Sequence, residues 1–385
     1  MNINLNQEQL SKGRAVANNW GLARLLITFA MNPRTMQDGR PNSDGRPLSK
    51  VVRLKEDGLQ DLGNLRCLPN ELVDMIVNKL DLPSAISLSY VNHAANAFVQ
   101  KSPVTLLKRW APELPKILKK SQIQKSWSLC ELKDVIRRER CAGCGESCAQ
   151  LYLPTMERIC HPCMHDNHTY WCLPVEHAAM IFGLDLPDLI NYQTMYLPRL
   201  SKTSDVGELG AWVIPVKLAL TKALELYGTR KAIKHAVEGS PSTDEDEEPD
   251  SSKDDKFVIK NHYDIYRAAP LNLPNTVQAR LLTTLAKSDI HAHHNEITYR
   301  VPVVPRGNAR EFLHLCRGCT AMMTRDLESI SDAQMRMMGF DPALDRYERA
   351  FVIFRRAFRM WNVPDLVEHL QTDCVGAWSL LYSEN

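Results

Sequence analysis

Two pairs of cysteines near the middle of the chain have the spacing of metal ligands. Cys141 and Cys144 form one C-x2-C pair, and Cys160 and Cys163 form a second pair after an interval of 15 residues. Each pair places two thiolates on one tight turn, and two pairs supply the tetrahedral ligand set that Zn²⁺ prefers. Gly143 suits such a turn, because a glycine lets backbone N–H groups approach the sulfur atoms. The sequence therefore predicts a zinc site with four cysteine ligands.

The predicted site is of the structural kind. Four thiolates leave no coordination position for water or substrate, so we expect no hydrolytic chemistry there. A RING-type ubiquitin ligase needs two interleaved zinc sites, but the next C-x2-C pair after Cys163 begins only at Cys316. Several nearby residues could each replace one of the four cysteines, and these are Cys148, His161, His165, His168 and Cys172.

A second half-site follows much later in the chain. Cys316 and Cys319 repeat the C-x-G-C turn without a second cysteine pair nearby, and His291, His293 and His294 precede them. A second zinc site formed by Cys316, Cys319, His291 and His293 is one hypothesis. The alternative is two unligated thiols with histidines that face solvent.

Motifs that would indicate an enzyme are absent from the sequence. The chain has no glycine-rich phosphate-binding loop, no His-Glu-x-x-His and no Gly-x-Ser-x-Gly. We therefore expect a non-catalytic protein; the alternative is a catalytic Cys/His or Ser/His/Asp arrangement, whose members meet only in the folded chain.

The composition limits the class of protein further. Of 385 residues, 44% are hydrophobic and 24% are charged, and the formal net charge is +2. These values are ordinary for a soluble globular protein and demand no polyanionic partner. No apolar run approaches the roughly 18 residues that a membrane helix needs. We expect a cytoplasmic or nuclear protein, without a membrane partner, whose thiols bind metal or stay free rather than form disulfides.

The pattern along the chain predicts a mainly α fold with two breaks. Residues 32–64 have the composition of a loop, and residues 238–256 are acidic, rich in Ser and Pro, and without aromatic residues. Ser240, Ser242 and Thr243 in the second break could be phosphorylated. Residues 10–31 contain basic residues and no acidic ones, which fits an amphipathic helix or a mitochondrial presequence.

Helical patterns and one strand account for most of the remainder. We expect helices in the segments 104–140, 176–192, 216–236, 277–286, 343–361 and 364–371, and a strand at 297–304. Phe351, Phe354, Phe358 and Trp361 recur at helical spacing, with arginines between them. Such aromatic spacing is more typical of core packing than of a ligand site.

Residues 65–100 contain short helices with more apolar surface than one core face needs. Pro69 is placed to open a helix, and Glu71 lies in its first turn. At helical periodicity the apolar residues of 72–80 cover an arc of roughly 200°, whereas a surface helix needs little more than about 100°. A segment this short rarely folds alone. The apolar surface that this segment cannot cover by itself must therefore contact another protein or the rest of this chain.

The same segment resembles the F-box. The pattern Leu-Pro-x-Glu-Leu-x-x-x-Ile-x-x-x-Leu begins at Leu68, and Leu-Pro with a leucine-rich second helix follows from Leu82 to Val91. The resemblance implies three small helices that bind the Skp-type adaptor of a Skp–cullin–F-box ubiquitin ligase. Ala85 departs from the pattern, since many members carry a larger aliphatic residue there. By motif position, the implied adaptor-binding residues are Leu68, Pro69, Leu72, Ile76, Leu80, Ile86, Leu88 and Val91.

Two further resemblances concern the region of the cysteines. The stretch 151–163 is similar to a CxxC…ERxCxxC unit that follows the F-box in a group of filamentous-fungal F-box proteins. Residues 179–189 look like the helix after the zinc module of the xeroderma pigmentosum group A family, which binds damaged DNA. Residues 108–140 hold ten Lys and Arg against four Asp and Glu. A zinc-dependent nucleic-acid-binding protein, whose F-box-like helices serve only for packing, is therefore the alternative function.

We expect a mainly α fold with a three-helix F-box, a zinc-ribbon-like hairpin, and a mostly helical C-terminal region with a few strands. The expected function is that of a non-catalytic substrate receptor, with structural Zn²⁺ as cofactor, a Skp-type adaptor and through it a cullin as partners, and an unknown protein target. The expected division is a largely disordered region 1–64, the F-box 65–105, a helical connector 106–140, the zinc module 141–175, a helical region 176–237, the acidic loop 238–256 and a substrate-binding region 257–385.

Overall fold

The computed structural model describes residues 6–31, 63–101, 103–190, 192, 194–197, 211–238, 297–301, 313–324 and 330–383. The fold is mainly α with small sheets, as the sequence predicts. Within the described ranges, no helix has both the length and the apolar character needed to cross a bilayer.

The elements of the first half lead from two N-terminal helices to the cysteine region. A short 3-10 helix at Gly63–Cys67 precedes α3. In chain order these elements are α1 (Gln7–Asn19), α2 (Leu22–Phe29), β1 (Ala30–Met31), α3 (Asn70–Lys79), α4 (Leu82–Ser89), α5 (His93–Lys101), α6 (Pro103–Trp110), α7 (Leu114–Lys120), α8 (Leu129–Arg137), β2 (Gln150–Tyr152), β3 (Glu157–Arg158) and α9 (His161–Asp166).

The second half alternates short strands and helices before a C-terminal helical region. Its elements are β4 (Cys172–Pro174), α10 (Val175–Phe182), α11 (Leu186–Ile190), β5 (Met195–Leu197), β6 (Ala211–Pro215), α12 (Val216–Tyr227), α13 (Arg230–Glu238), β7 (Thr298–Arg300), β8 (Leu315–Cys316), α14 (Arg317–Met323), α15 (Asp332–Met337), α16 (Arg346–Ala357), α17 (Val363–Thr372) and α18 (Val375–Ser383).

One hydrophobic core extends from α3 to the cysteine region. It contains Val73 and Val77 of α3, Leu132 of α8, and the buried cysteines Cys141 and Cys163. The antiparallel strands β3, β2 and β7 close one side of this core, with Leu151 paired to both Arg158 and Tyr299. Because these helices and strands share their buried side chains, the expected boundaries at 105 and 140 do not separate independent cores.

A second core joins both ends of the chain. Leu10 and Leu25 are completely buried among residues of the C-terminal helices, including Trp378. A Cβ at Gly13 would overlap the backbone of Trp378, so α1 and α18 cross in close contact. The expectation of a largely disordered region 1–64 is therefore wrong for residues 6–31, since their apolar positions are covered by helices more than 300 residues away in sequence.

A third core contains a sheet that the sequence patterns did not indicate. The antiparallel strands β4, β6 and β5 pair in that order, and Leu173 lies opposite Ile214. Helices α10 and α12 pack on this sheet. The helix expected at 176–192 is divided into α10 and α11 at Gly183, which has a left-handed backbone with φ +66°.

Several other predicted elements are present in the structure, but they begin or end at different residues than predicted. The strand expected at 297–304 is β7, and the helices expected at 343–361 and 364–371 correspond to α16 and α17. The helix expected at 277–286 and most of the acidic segment 238–256 lie outside the described residues.

Candidate functional site: an exposed apolar helix face and two cysteine clusters

Helix α3 has two apolar faces, of which only one is covered. Val73 and Val77 are 2% and 1% exposed and face the first core. Leu72, Met75 and Ile76 are 43%, 63% and 41% exposed. Their spacing of three and four residues places them together on the helix surface. The structure therefore leaves an apolar stripe on α3, which we define as Leu72, Met75 and Ile76.

Other predicted adaptor-binding residues, before α3 and after α4, are exposed as well. Pro69 caps the start of α3 and is exposed, and Val91 after α4 is 67% exposed. The remaining predicted adaptor-binding residues are half-buried against the first core, namely Leu68, Leu80, Ile86 and Leu88. None of the eight is fully buried. Ala85, where the family pattern is broken, is 0% exposed, so that difference affects packing under the surface.

The helix that carries the apolar stripe is attached to the body of the protein by hydrogen bonds and packing. The Asp81 side chain caps α4 by accepting a hydrogen bond from the backbone N–H of Ser84, at 2.8 Å. The backbone N–H of Leu129 donates to the carbonyl oxygen of Leu80 at 2.9 Å, and α3 packs on α8. The hydrogen bond from Leu129 attaches the end of α3 to the start of α8, and the packing attaches the side of α3 to the same helix.

The four cysteines of the first predicted site lie together. All their sulfur atoms are within 4.8 Å of one another, and the Sγ atoms of Cys144 and Cys160 are 3.6 Å apart. Cys141, Cys160 and Cys163 are buried, whereas Cys144 is half-buried. We define this group as the first cluster.

Two turns place these thiols. The first is closed by a hydrogen bond from the backbone N–H of Gly145 to the carbonyl of Cys141, at 2.9 Å, and Gly145 has φ +75°. The second pair lies at the start of α9, where Cys160 is the N-cap. A Cβ at Gly143 would lie 3.0 Å from the sulfur of Cys163, so this glycine permits the close approach of the two turns.

Hydrogen bonds within the first cluster shift the pKa values of its thiols in opposite directions. Two backbone N–H groups, those of Gly143 and Cys160, donate to the Cys141 sulfur at 3.3 and 3.2 Å. Hydrogen bonds with the other three thiols lower the pKa of Cys141 well below its usual range, and they raise the pKa of Cys160. A thiolate is therefore favoured at Cys141, which is the form that binds metal.

The nearby alternative ligands have other partners. The Cys148 sulfur contacts the Gln150 carbonyl oxygen at 3.4 Å, and the Cys172 sulfur lies 3.2 Å from the Tyr152 hydroxyl. The rings of His161 and His165 pack on Phe354, with centroids 5.8 and 5.4 Å away. The side chain of His168 lies outside the described part of the structure.

Helix α16 packs against the first cluster. The Arg355 Nη2 is 4.0 Å from the Cys163 sulfur, and Arg355 is only 9% exposed. The Arg359 guanidinium forms an ion pair with Glu146 at 3.0 Å. Phe351 and Trp361 are buried in the second core and Phe358 packs against it, which agrees with the interpretation of these aromatic residues as core.

The second cysteine pair has partners that sequence spacing did not identify. Cys316 and Cys319 lie with His369 and Cys374, and the ligand atoms of all four are within 4.8 Å of one another. We define these four residues as the second cluster. The histidines proposed from the sequence, His291 and His293, lie outside the described residues. No local signal marks His369 and Cys374 as ligands, because they are 50 and 55 residues from Cys319.

A family model described as an F-box domain matches residues 65–107. This match covers the apolar stripe, the residues of α4 and α5, and the start of α6. Neither a search of curated proteins nor a search of solved structures finds a match to the chain.

Proposed function

We propose that this chain, whose residues 65–107 match the F-box domain, is the substrate receptor of a Skp–cullin ubiquitin ligase. The observation that carries the proposal is the apolar stripe on α3. Water-exposed leucine and isoleucine at adjacent helical positions are unfavourable unless a partner covers them. An F-box domain whose outer helix face is apolar and accessible has the property that adaptor binding requires.

The proposed adaptor-binding surface combines exposed and half-buried residues. Leu72, Ile76 and Val91 would enter the interface directly, because their side chains are largely accessible. The half-buried members would shape the floor of the surface, since they are already packed on the first core. The complete proposed set is Leu68, Pro69, Leu72, Ile76, Leu80, Ile86, Leu88 and Val91.

The first cluster is proposed to bind one structural Zn²⁺ through Cys141, Cys144, Cys160 and Cys163. Four sulfur donors in a closed, mostly buried group fit a tetrahedral zinc site that has no open position. Four thiolates around a divalent ion give a net negative charge, and the buried Arg355 guanidinium beside Cys163 would offset it. Bound zinc would fix the two turns relative to β2 and β3.

The remainder of the chain is proposed to present the target protein. F-box helices, connector and cysteine region share one core, so a target on the body would be held at a fixed distance from the adaptor. We retain the division given above as a proposal, with residues 257–385 as the target-binding region. In this function the chain breaks no bond, because ubiquitin transfer is performed by other subunits.

Affinity purification from cells tests the proposal. The double variant Leu72→Asp with Ile76→Asp places two charges on the apolar stripe and should abolish recovery of the adaptor and cullin, since each buried carboxylate would cost several kcal/mol. The matched control is Ile27→Asp, because Ile27 is 86% exposed on α2, a helix whose buried residues belong to the second core and not to the core of the F-box domain. It should recover both partners as the unmodified chain does.

Three readouts give this experiment a definite outcome. Zinc content should be equal in all three proteins, which shows that the variants are folded. Undiminished adaptor recovery by the double variant would contradict the proposal. Salt-sensitive binding of DNA or RNA without adaptor association would instead support the nucleic-acid-binding function.

A further inference from the structure

We propose that Cys316, Cys319, His369 and Cys374 bind a second structural Zn²⁺, which holds the C-terminal helices together beneath the N-terminal ones. This inference goes beyond the proposed function, because it involves neither the adaptor-binding surface nor the first cluster. It rests on the geometry, chemistry and burial of the second cluster.

The distances in the second cluster match a single tetrahedral ion. Zn–S bonds of about 2.3 Å and Zn–N bonds of about 2.0 Å place neighbouring sulfurs roughly 3.8 Å apart and sulfur and nitrogen roughly 3.6 Å apart. The Cys374 sulfur is 3.4 Å from that of Cys316 and 3.9 Å from that of Cys319. The Cys319 sulfur is 3.2 Å from the His369 Nε2. All four donor atoms can therefore contact one ion.

The imidazole of His369 is oriented as a metal ligand. Its Nδ1 lies 2.6 Å from a carboxylate oxygen of Asp373, so Nδ1 carries the proton and donates it in a hydrogen bond. The lone pair of Nε2 then faces the three sulfurs. A carboxylate behind a ligating histidine fixes the tautomer and the ring orientation at zinc sites. Arg356 pairs with the same carboxylate, and Trp361 stacks on the ring at 4.3 Å.

Burial distinguishes the second cluster from an accidental group of thiols. Every member is buried, with exposures of 0% for Cys316, 4% for Cys319, 2% for His369 and 1% for Cys374. Three sulfur atoms and one imidazole nitrogen are thus enclosed together, within 4.8 Å of one another, and a metal ion at the centre of the cluster would contact all four.

A disulfide explains fewer of these observations. The Cys316 and Cys374 sulfurs are 3.4 Å apart, compared with about 2.05 Å in a disulfide. Such a bond would leave Cys319 and the oriented Nε2 of His369 without a common partner. Three sulfurs and one imidazole in a closed tetrahedral group are typical of zinc, and the short donor distances fit one ion rather than a cluster of several.

Two glycines bring the ligands together. Cys316 ends β8 and caps α14, whereas Cys374 directly precedes α18. A Cβ at Gly318 would overlap the backbone of Ala377, and a Cβ at Gly376 would overlap the backbone of Gly318. The helices α14 and α18 therefore touch at their glycines. This contact places the C-R-G-C turn directly beside Cys374.

The second cluster lies where the two ends of the chain meet. Cys316 pairs with Ala30 in the short sheet of β1 and β8, and α1 crosses α18 at Gly13. An ion bound at the end of β8, in α14, in α17 and directly before α18 would fix the surface on which α1 and α2 pack. Loss of the ion should therefore loosen residues 7–29 as well as the C-terminal helices.

Native mass spectrometry of the full-length chain, prepared with zinc under reducing conditions, tests the inference. The unmodified chain should carry two zinc ions. Cys374→Ser should carry one, as should Cys144→Ser in the first cluster. The control Cys130→Ser should keep two, because Cys130 is a half-buried thiol of α8 outside both clusters. A single zinc on the unmodified chain, or a mass two hydrogens lower from a disulfide, would overturn the inference.

A conservative variant keeps the test decisive if Cys374→Ser fails to fold. His369→Cys retains four donors and should still bind two ions. Replacing zinc by Co²⁺ should give sulfur-to-cobalt charge-transfer absorption from both sites in the unmodified chain and from one in Cys144→Ser. Absence of this absorption in Cys144→Ser would overturn the inference. Adaptor recovery should be unchanged by His369→Cys, so this result and the test of the proposed function are independent.

Discussion

At the scale of single residues, Arg158 organises the region of the first cluster from inside. Its guanidinium is 1% exposed and donates to the backbone carbonyls of Val135, Ile136, Cys148 and Val301. Burial lowers the pKa of Arg158 to about 10. The side chain therefore stays charged at neutral pH and connects α8, β3 and the end of β7 through one group.

Replacement of Arg158 should be costly. In Arg158→Met four buried carbonyls lose a charged donor, and each unsatisfied group costs about 1–3 kcal/mol. We expect the free energy of unfolding to fall by at least about 3 kcal/mol, measured by denaturant titration. The control Arg138→Met removes an exposed arginine just after α8 and should change it by less than about 0.5 kcal/mol. Equal losses in the two variants would contradict the role given to Arg158.

The two clusters show which ligands a sequence can reveal. Cys141, Cys144, Cys160 and Cys163 lie in two short turns with an interval of 15 residues, so their spacing alone predicted the group that the structure brings together. His369 belongs to α17 and is covered by Trp361. Its approach to Cys319 depends on helix packing, which has no periodic signal in the sequence. The role of Arg158 was likewise not predicted, because it depends on carbonyls from separate segments.

At the scale of elements, α3 has one face for the core and one for the surface. The apolar arc predicted that this helix needs cover on more than one side, and the structure covers only the side of Val73 and Val77. The sheet of β4, β6 and β5 was not predicted, because its strands are only three to five residues long and too short for a clear alternation.

Alanine substitutions on the two faces of α3 should separate stability from binding. Val73→Ala removes buried methyl groups and should lower the free energy of unfolding by about 2 kcal/mol, with little effect on adaptor affinity. Leu72→Ala should leave stability within about 0.5 kcal/mol but weaken adaptor binding about tenfold or more. Denaturant titration and a binding titration on the same preparations measure both effects. The reverse pattern would show that the faces have been assigned the wrong way round.

At the scale of the whole molecule, the F-box domain is part of a continuous body rather than a module on a linker. Its helices share the first core with the cysteine region, and α16 extends from that region to the second core, with Arg355 beside Cys163 and Arg356 beside Asp373. The N-terminal helices complete the second core, a long-range contact that residues 10–31 do not reveal by themselves. A body of this kind would hold a bound target in one orientation relative to the adaptor.

Hydrogen–deuterium exchange of the full-length chain with and without a purified Skp-type adaptor tests whether α3 is the adaptor-binding surface. We expect a stable complex in which exchange slows in residues 68–91, most of all in α3, because the apolar stripe becomes buried. Exchange in residues 7–29 should not change. A chain that forms no complex with the adaptor, or a complex that leaves exchange in α3 unaltered, would contradict the proposed role of the apolar stripe.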